Sequence, residues 1–174
     1  RGVHPIVRIA IKVQILTMTR PGEVRFAVWS EFDFRKRLWT IPAGRMKSNR
    51  EHVVPLSDQA IELLKQLRKI TGNYQHLFLK IPLLIDSEDY DDSKTITENT
   101  VSQTIRRLGY DCQAHGFRGS ERTFLHNAED EDERPLFNTM WVEFALAHED
   151  PDKVRGAYNS SRYLTQRTRM IQYW

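Results

Sequence analysis

The stretch Ala114-His115-Gly116-Phe117-Arg118 is the most informative part of this chain. We predict a helix that opens at His115, with His115 and Arg118 on one face, where the two side chains form a compact phosphate clamp. A second histidine, His148, and then a tyrosine, Tyr158, follow further along the chain. The order histidine, arginine, histidine, tyrosine indicates phosphoryl chemistry with a tyrosine nucleophile.

The length and charge of the chain limit its class. A chain of 174 residues fits one domain, residues 1–174. Its 26 basic and 23 acidic residues give a net charge of +3, which alone does not demand a nucleic-acid partner. The acidic residues are concentrated in 86–92 and 129–133, and a polyanion can bind the remaining basic zones. These zones are Arg20, Arg25, 35–37, 45–50 and 162–169.

Cysteine content and hydropathy indicate the compartment. The single cysteine, Cys112, excludes an internal disulfide and a cysteine-based metal cage, which favours a reducing environment. No signal peptide or membrane-spanning apolar run is visible, so we expect a soluble protein inside the cell. Because the chain starts at Arg1 and not at a methionine, we expect it to be the C-terminal fragment of a longer protein.

Hydrophobic periodicity predicts a mainly α-helical domain with a small antiparallel β-sheet. Strand-like alternation occurs at 39–42 and 52–56, which we interpret as a hairpin, and 77–79 is a candidate short strand. Ser57 is placed to cap a helix that ends near Gly72. The other predicted helices are 4–18, 23–29, one from Thr97 that carries Val101, Ile105 and Leu108, 115–126, 135–148, 151–158 and 161–174. The acidic segment 86–94 is predicted to be a loop.

Attack of a side chain on a phosphodiester needs charge neutralisation, a proton donor for the leaving oxygen and a nucleophile. Arg20 and Arg118 each offer a planar fork of donors to phosphate oxygens. Lys47, near the predicted hairpin turn, is a candidate proton donor to the leaving oxygen. The phenol of Tyr158 needs nearby cations to become a nucleophile, and His148 is placed to take or position its proton. No metal ion is required, because arginines fill the electrostatic role.

Several segments resemble the catalytic domain of tyrosine recombinases, specifically the phage-type integrases of prophages and genomic islands. The resemblance covers nearly the whole chain, and the catalytic-type residues occur in the order of the family. The segments that carry it are Thr19-Arg20-Pro21-Gly22-Glu23-Val24-Arg25, Trp39-Thr40-Ile41-Pro42-Ala43-Gly44-Arg45-Met46-Lys47, Ala114-His115-Gly116-Phe117-Arg118, Leu146-Ala147-His148 and Lys153-Val154-Arg155-Gly156-Ala157-Tyr158-Asn159.

This resemblance implies a site-specific recombinase that acts on double-stranded DNA in the cytoplasm of a bacterial host. Tyr158 would attack the DNA backbone and form a 3′-phosphotyrosyl link, so no cofactor is needed. Arg20, Lys47, His115, Arg118 and His148 would support that step, and Glu23 would be a buried partner of Arg20. It also implies a homo-tetramer on DNA, while the isolated domain can be a monomer.

Two departures from the family pattern are visible. The acidic insert 129–135 lengthens the segment between Arg118 and His148, and we expect it to form a loop. After Arg118, Gly119-Ser120-Glu121-Arg122 stands where small apolar residues are expected, and a glycine weakens a helix by about 1 kcal/mol relative to alanine.

Alternatives stay open at two positions. Lys36, Arg45 and Arg50 compete with Lys47 for the hairpin role, and the spacing to Val54-Pro55-Leu56 favours Lys47. The rivals of Tyr158 are Tyr110 and Tyr163. Tyr163 falls on an apolar stripe with Met170, Ile171 and Trp174, which indicates packing.

Alternatives also remain for the last helix and for the function. The helix 161–174 either folds onto its own core or docks on a neighbouring protomer. A type IB topoisomerase is a competing function of the same chemical class. A DNA-binding relic or repressor without catalysis competes from another class.

Overall fold

The structure is a computed structural model that describes residues 2–80, 95–97, 99–148 and 163–174. Its first element is helix α1, Pro5–Thr17, which ends at Met18 in the left-handed conformation with φ 57°. Proline suits the first turn because the N–H group that it lacks would have no partner there. The apolar face of α1 is buried in the main core, which confirms the predicted first helix.

A short helix and a three-stranded antiparallel sheet follow α1. Helix α2 is Pro21–Arg25, and a 3₁₀ turn, Trp29–Glu31, replaces the rest of the predicted helix 23–29. The strands are β1 (Phe32–Asp33), β2 (Leu38–Ile41) and β3 (His52–Pro55), in the order β1-β2-β3. The pair β2 and β3 confirms the predicted hairpin, and Trp39 lies opposite Val54. The two-residue strand β1 was not predicted.

Helix α3, Asp58–Thr71, confirms the predicted capped helix. The Ser57 hydroxyl accepts a hydrogen bond from the Ala60 N–H group at 3.3 Å, and the chain reaches Gly72 at the other end. Leu64 and Leu67 are fully buried against the main core. The cap satisfies one of the first N–H groups of the helix, which have no partner within the helix itself.

We predict that Ser57→Ala lowers the free energy of unfolding by about 1 kcal/mol, because the first turn of α3 loses its side-chain acceptor. Urea denaturation measures this change. Ser48→Ala is the matched control, because Ser48 lies in the loop between β2 and β3 and caps no helix. An equal loss in both variants would contradict the capping role of Ser57.

The remaining helices are α4 (Thr100–Arg107), α5 (Phe117–His126), α6 (Thr139–Ala145) and α7 (Leu164–Tyr173). Helix α4 starts at Thr100 and not at Thr97, and Leu108 is exposed, so its place on the apolar stripe was predicted wrongly. The predicted strand 77–79 is not formed among the described residues, where Leu79 pairs with Thr95 in an isolated bridge. Helix α6 is shorter than the predicted 135–148. The predicted helix 151–158 and the loop 86–94 lie outside the described residues.

The core has two parts. The main cluster joins α1, α3 and the sheet around Trp39, which is fully buried. The second cluster joins α5, α6 and α7 and includes Leu125, Val142 and Met170. Among the described residues, no helix is long and apolar enough to cross a bilayer.

Helix α7 lies on its own chain. Met170 and Ile171 are buried in the second cluster, and Arg167 donates a hydrogen bond to the Val53 carbonyl of β3. Helix α7 thereby covers the outer edge of the sheet, where β3 would otherwise leave carbonyl groups unpaired. Packing onto its own core is therefore the arrangement in this chain, and docking onto a neighbouring protomer stays a prediction.

Candidate active site

A cleft of about 560 Å³ brings together segments that are far apart in the sequence. Arg20, Lys47 and His115, three of the six predicted site residues, lie on its wall. They come from the start of α2, the loop between β2 and β3, and the 3₁₀ turn Ala114–Gly116 before α5. The remaining wall residues are Pro21, Gly22, Glu23, Phe26, Arg45, Asn99, Ser102, Gln113 and Ala114.

Arg20 is held by Glu23. The backbone N–H group of Arg20 donates to Glu23 Oε2 at 2.7 Å, and its Nη1 donates to Oε1 at 2.9 Å. Glu23 is 4% exposed, whereas the Arg20 side chain keeps 26% of its surface open. The prediction that Glu23 is a buried partner of Arg20 is confirmed. The carboxylate fixes one edge of the guanidinium and leaves the rest for a ligand in the cleft.

Arg118 lies behind the wall of the cleft. It is 7% exposed, and its two terminal nitrogens donate to the carbonyl groups of Met18 and Leu146. Met18 follows the last turn of α1 in the left-handed conformation, and its own carbonyl is the one that Arg118 Nη1 binds. Burial, and then the neighbouring charge of Arg20, lowers the pKa of Arg118. The two guanidinium groups therefore repel each other, and a bound anion would relieve this repulsion.

His115 is not part of helix α5, contrary to the prediction. The helix begins at Phe117, and His115 lies exposed in the 3₁₀ turn before it. The 3₁₀ turn runs directly into α5, so the compact clamp of the exposed His115 and the buried Arg118 stays a prediction. His115 lines the same cleft as Lys47.

The turn before α5 is fixed on both sides of Ala114. The Ala114 carbonyl accepts a hydrogen bond from Gln14 Nε2 of α1 at 2.6 Å. Its N–H group donates to Ser102 Oγ of α4 at 3.2 Å. Sequence reasoning missed both partners, although Gln14, four residues after Ala10 on the buried side of α1, is an unexpected polar residue there. These two bonds set the position of His115.

Lys47 is exposed on the cleft wall. Among the described residues its ammonium group makes no hydrogen bond or ion pair, so the charge is available to a ligand. Met46, the residue before it, is buried in the main core and holds the loop in place. Of the rival cations named from the sequence, Arg45 also lines the cleft.

His148 lies outside the cleft wall, on the exposed surface after α6. Its Nδ1 is 2.6 Å from Glu143 Oε2. Glu143 Oε1 also accepts from Arg122 Nε at 2.7 Å and lies 3.2 Å from His126 Nε2. Partial burial opposes ionisation of Glu143, but these hydrogen bonds outweigh it and lower its pKa. Sequence reasoning missed Glu143, which orients the His148 ring.

Glu121 is a second residue whose setting the sequence did not predict. It lies one turn after Arg118 on α5 and is 1% exposed, and neither carboxylate oxygen has a hydrogen-bond partner among the described residues. Burial raises its pKa to about 8, against the opposing influence of Arg118. The departure seen at Gly119-Ser120-Glu121-Arg122 therefore places an acidic group inside the protein, next to a predicted site residue.

Tyr158 and the segment Lys153–Asn159 lie outside the described residues. The acidic insert forms a surface loop, as predicted, closed by an isolated bridge between Glu129 and Pro135. Within the described part of the chain no cluster of three or more histidine, cysteine, aspartate or glutamate side chains is arranged to hold a metal ion.

Comparison with known proteins identifies the family. A model described as the phage integrase family matches residues 6–164, and the chain belongs to that family. The integrase of Enterobacteria phage P4 is 40% identical over 184 residues, which cover 96% of this chain and 39% of that protein. The chain thus spans well under half the length of this relative.

Solved structures agree on the fold. An integrase from mycobacterium phage Brujita has a TM-score of 0.67 at 18% identity, over 99% of this chain and 52% of that one. A lambda integrase tetramer bound to a Holliday junction has a TM-score of 0.56 at 16% identity, over 90% and 43% of the two chains. The predicted fold, a mainly α-helical tyrosine recombinase core with a small antiparallel sheet, is confirmed.

Proposed function

We propose that this chain is the catalytic part of a site-specific DNA recombinase that cuts and rejoins strands through a 3′-phosphotyrosyl intermediate. The observation that carries the proposal is the cleft itself, which gathers Arg20, Lys47 and His115 with Arg118 directly behind. Its lining cations suit a phosphate group, and membership of the phage integrase family supports the same substrate class.

In the proposed reaction the scissile phosphate of the DNA binds beside Arg20. Arg20 and Arg118 stabilise the charge that builds up on the two non-bridging oxygens, and His115 donates a hydrogen bond to the same group. The phenolic oxygen of Tyr158 forms a bond to phosphorus as the bond from phosphorus to the 5′ oxygen breaks. Lys47 gives its proton to that 5′ oxygen, so a free 5′-hydroxyl leaves.

His148 has a supporting role in this proposal. It lies two residues after Leu146, whose carbonyl is bound by Arg118, and its ring is oriented by Glu143. We infer that His148, which lies near the buried arginine but off the cleft wall, takes the proton from the phenol of Tyr158 as that residue reaches the phosphate. The 5′-hydroxyl of a partner strand then attacks the phosphotyrosyl link, Tyr158 leaves, and the strands are rejoined.

The proposed partner is double-stranded DNA, and the proposed active assembly is a homo-tetramer. The lambda integrase with this fold is a tetramer on a Holliday junction, which supports both points. The isolated chain, with a net charge of +3, is expected to bind DNA weakly and with a steep dependence on salt. Its proposed location is the bacterial cytoplasm.

A covalent-trapping experiment tests the proposed function. The full-length integrase is incubated with nicked duplexes that carry the junction between the encoding element and its host DNA. Cleavage at the junction releases a short 5′-hydroxyl strand from the nick, so rejoining fails and covalent protein–DNA product accumulates. Peptide mapping should place the DNA on Tyr158.

Three variants complete the test. Tyr158→Phe should trap no product, whereas Tyr110→Phe and Tyr163→Phe should trap as much as the parent. If Tyr158→Phe traps as much DNA as the parent, Tyr158 is not the nucleophile. If the parent binds the duplex and traps nothing, the chain is not a strand transferase.

A further inference from the structure

Arg45 is a partly exposed cation on the wall of the cleft. It is the last residue of the 3₁₀ turn Ala43–Arg45 in the loop between β2 and β3, two residues before Lys47. Its side chain is 22% exposed and lines the same cleft as Arg20 and Lys47. The sequence named it only as a rival for the role of Lys47.

The guanidinium group of Arg45 binds backbone carbonyls of two other residues that line the cleft. Nη2 donates to the Glu23 carbonyl at 2.9 Å, and Nη1 donates to the Phe26 carbonyl. Glu23 is the third residue of the five-residue helix α2, and Phe26 directly follows the helix, so Arg45 binds two carbonyls of a helix too short to pair them all internally. A cation is also favoured there by the helix dipole.

The third nitrogen of Arg45 faces a carboxylate. Nε forms an ion pair with Glu31 Oε1 at 3.4 Å but no hydrogen bond to it, and Glu31 Oε2 accepts a hydrogen bond from Trp39 Nε1 at 2.9 Å. Trp39 is fully buried in the main core. One guanidinium group therefore connects the hairpin loop to the end of α2 and, through Glu31, to the core of the sheet.

Only a planar fork of donors can make these three contacts at once. A lysine ammonium on the same stem is a point charge and cannot reach two carbonyls and a carboxylate together. Arg20 directly precedes α2, and Lys47 follows Arg45 by two residues in the loop, so the contacts of Arg45 set the separation between these two cleft residues. Among the described residues, the ammonium group of Lys47 makes no hydrogen bond or ion pair that would fix its position.

We propose that Arg45 is a positioning residue that holds Lys47 against the leaving 5′ oxygen of a phosphate bound beside Arg20. This inference rests on the proposed function, in which Lys47 donates the proton to that oxygen. Displacement of a proton donor by about 1 Å costs roughly 100-fold in rate. Arg45 makes no contact with the substrate in this role.

The test uses two duplexes with the full-length integrase. One duplex has the normal 5′ oxygen at the scissile phosphate, and the other has sulfur in that bridging position. A thiol has a pKa of about 8.5 and leaves as a thiolate without a donated proton. A defect in the proton donor therefore lowers the cleavage rate of the oxygen duplex and leaves the cleavage rate of the sulfur duplex unchanged.

Arg45→Met should cut the oxygen duplex about 10- to 100-fold more slowly than the parent and the sulfur duplex within about threefold of the parent. Lys47→Ala should show the same pattern with a larger defect. Arg45→Lys, which keeps the charge, should also cleave the oxygen duplex slowly and cleave the sulfur duplex at close to the rate of the parent. Arg134→Met, a matched change in the acidic surface loop, should leave both rates unchanged.

Two outcomes would overturn the inference while leaving the proposed function intact. One is an Arg45→Met variant that cuts the oxygen duplex at the rate of the parent. The other is an equal slowing on both duplexes, which would mean that Arg45 acts on the phosphate or on the fold as a whole. If Arg45→Met does not fold, the same criteria apply to Arg45→Lys. A parent that traps no DNA from either duplex would refute the proposed function itself.

Discussion

Replacement of Arg118 by methionine should slow strand cleavage by about 100- to 1000-fold and also lower the free energy of unfolding by about 3 kcal/mol. The loss in rate follows from removal of one of the two proposed phosphate donors. The loss in stability has a separate cause. The carbonyl groups of Met18 and Leu146 both accept hydrogen bonds from Arg118 and would be left buried without a donor.

Two comparisons separate these effects. Cleavage is measured by covalent trapping far below the melting temperature, and stability by urea denaturation of the 174-residue chain. Arg118→Lys keeps the charge but lacks the two spaced terminal nitrogens that reach both carbonyls, so it should retain only part of both properties. Arg122→Met, an exposed position one turn further along α5, should change stability by less than about 1 kcal/mol. If Arg118→Met unfolds at the same urea concentration as the parent, the two carbonyl contacts do not stabilise the chain.

Local patterns predicted the elements that local rules control. The apolar stripe of α1, the Ser57 cap of α3 and the alternation of β2 and β3 depend on neighbours within a few residues. The segment 77–79 shows the limit of such rules. Leu77, Phe78 and Leu79 are fully buried, as in a strand, but in the described part of the chain their pairing is limited to an isolated bridge of Leu79. Apolar composition predicted their burial and not their backbone pairing.

The sequence likewise predicted some features of the candidate site and not others. The order of motifs predicted that Arg20, Lys47 and His115 belong together, and they share one cleft. Sequence order did not predict that Arg118 donates hydrogen bonds to the carbonyl groups of Met18 and Leu146, which are 100 and 28 residues away along the chain. Such pairings arise when distant helices pack, so no periodicity reveals them. The positions of Gln14 and Glu143 escaped prediction for the same reason.

The stability of the chain should be greatest between about pH 4.5 and pH 6.5, because two buried groups titrate in opposite directions. Burial raises the pKa of Glu121 from 4.5 to about 8. The folded state therefore holds this proton more tightly than the unfolded state does. The stability that this gives is fully present below pH 4.5 and is lost as the pH rises towards 8.

His52 causes the loss of stability at acid pH. It is buried under α6, with Nε2 3.2 Å from the Ala145 carbonyl, so the neutral ring carries its proton on Nε2. Burial, followed by the charge of Arg167, lowers the pKa of His52 from 6.5 to about 3. The unfolded state thus binds a proton more readily. The stability due to the neutral ring is fully present above pH 6.5 and is lost as the pH falls towards 3.

Each group should change the free energy of unfolding by up to about 1.4 kcal/mol per pH unit within its window, or on the order of 5 kcal/mol over the whole window. Urea denaturation from pH 3 to pH 9 measures both slopes. Glu121→Leu should remove the alkaline slope and exceed the parent in stability at pH 9, because it replaces a buried carboxylate without a partner by an apolar side chain of similar size. His52→Gln should remove the acid slope only.

The matched control is Glu131→Leu, which removes an exposed carboxylate from the acidic loop and should leave both slopes unchanged. An alkaline slope that persists in Glu121→Leu would show that Glu121 is ionised in the folded chain at neutral pH. Its negative charge would then lie next to Arg118 under all working conditions and would weaken the hold of that arginine on a phosphate. The same variant should in that case cleave DNA faster than the parent at pH 7, whereas a protonated Glu121 predicts equal rates.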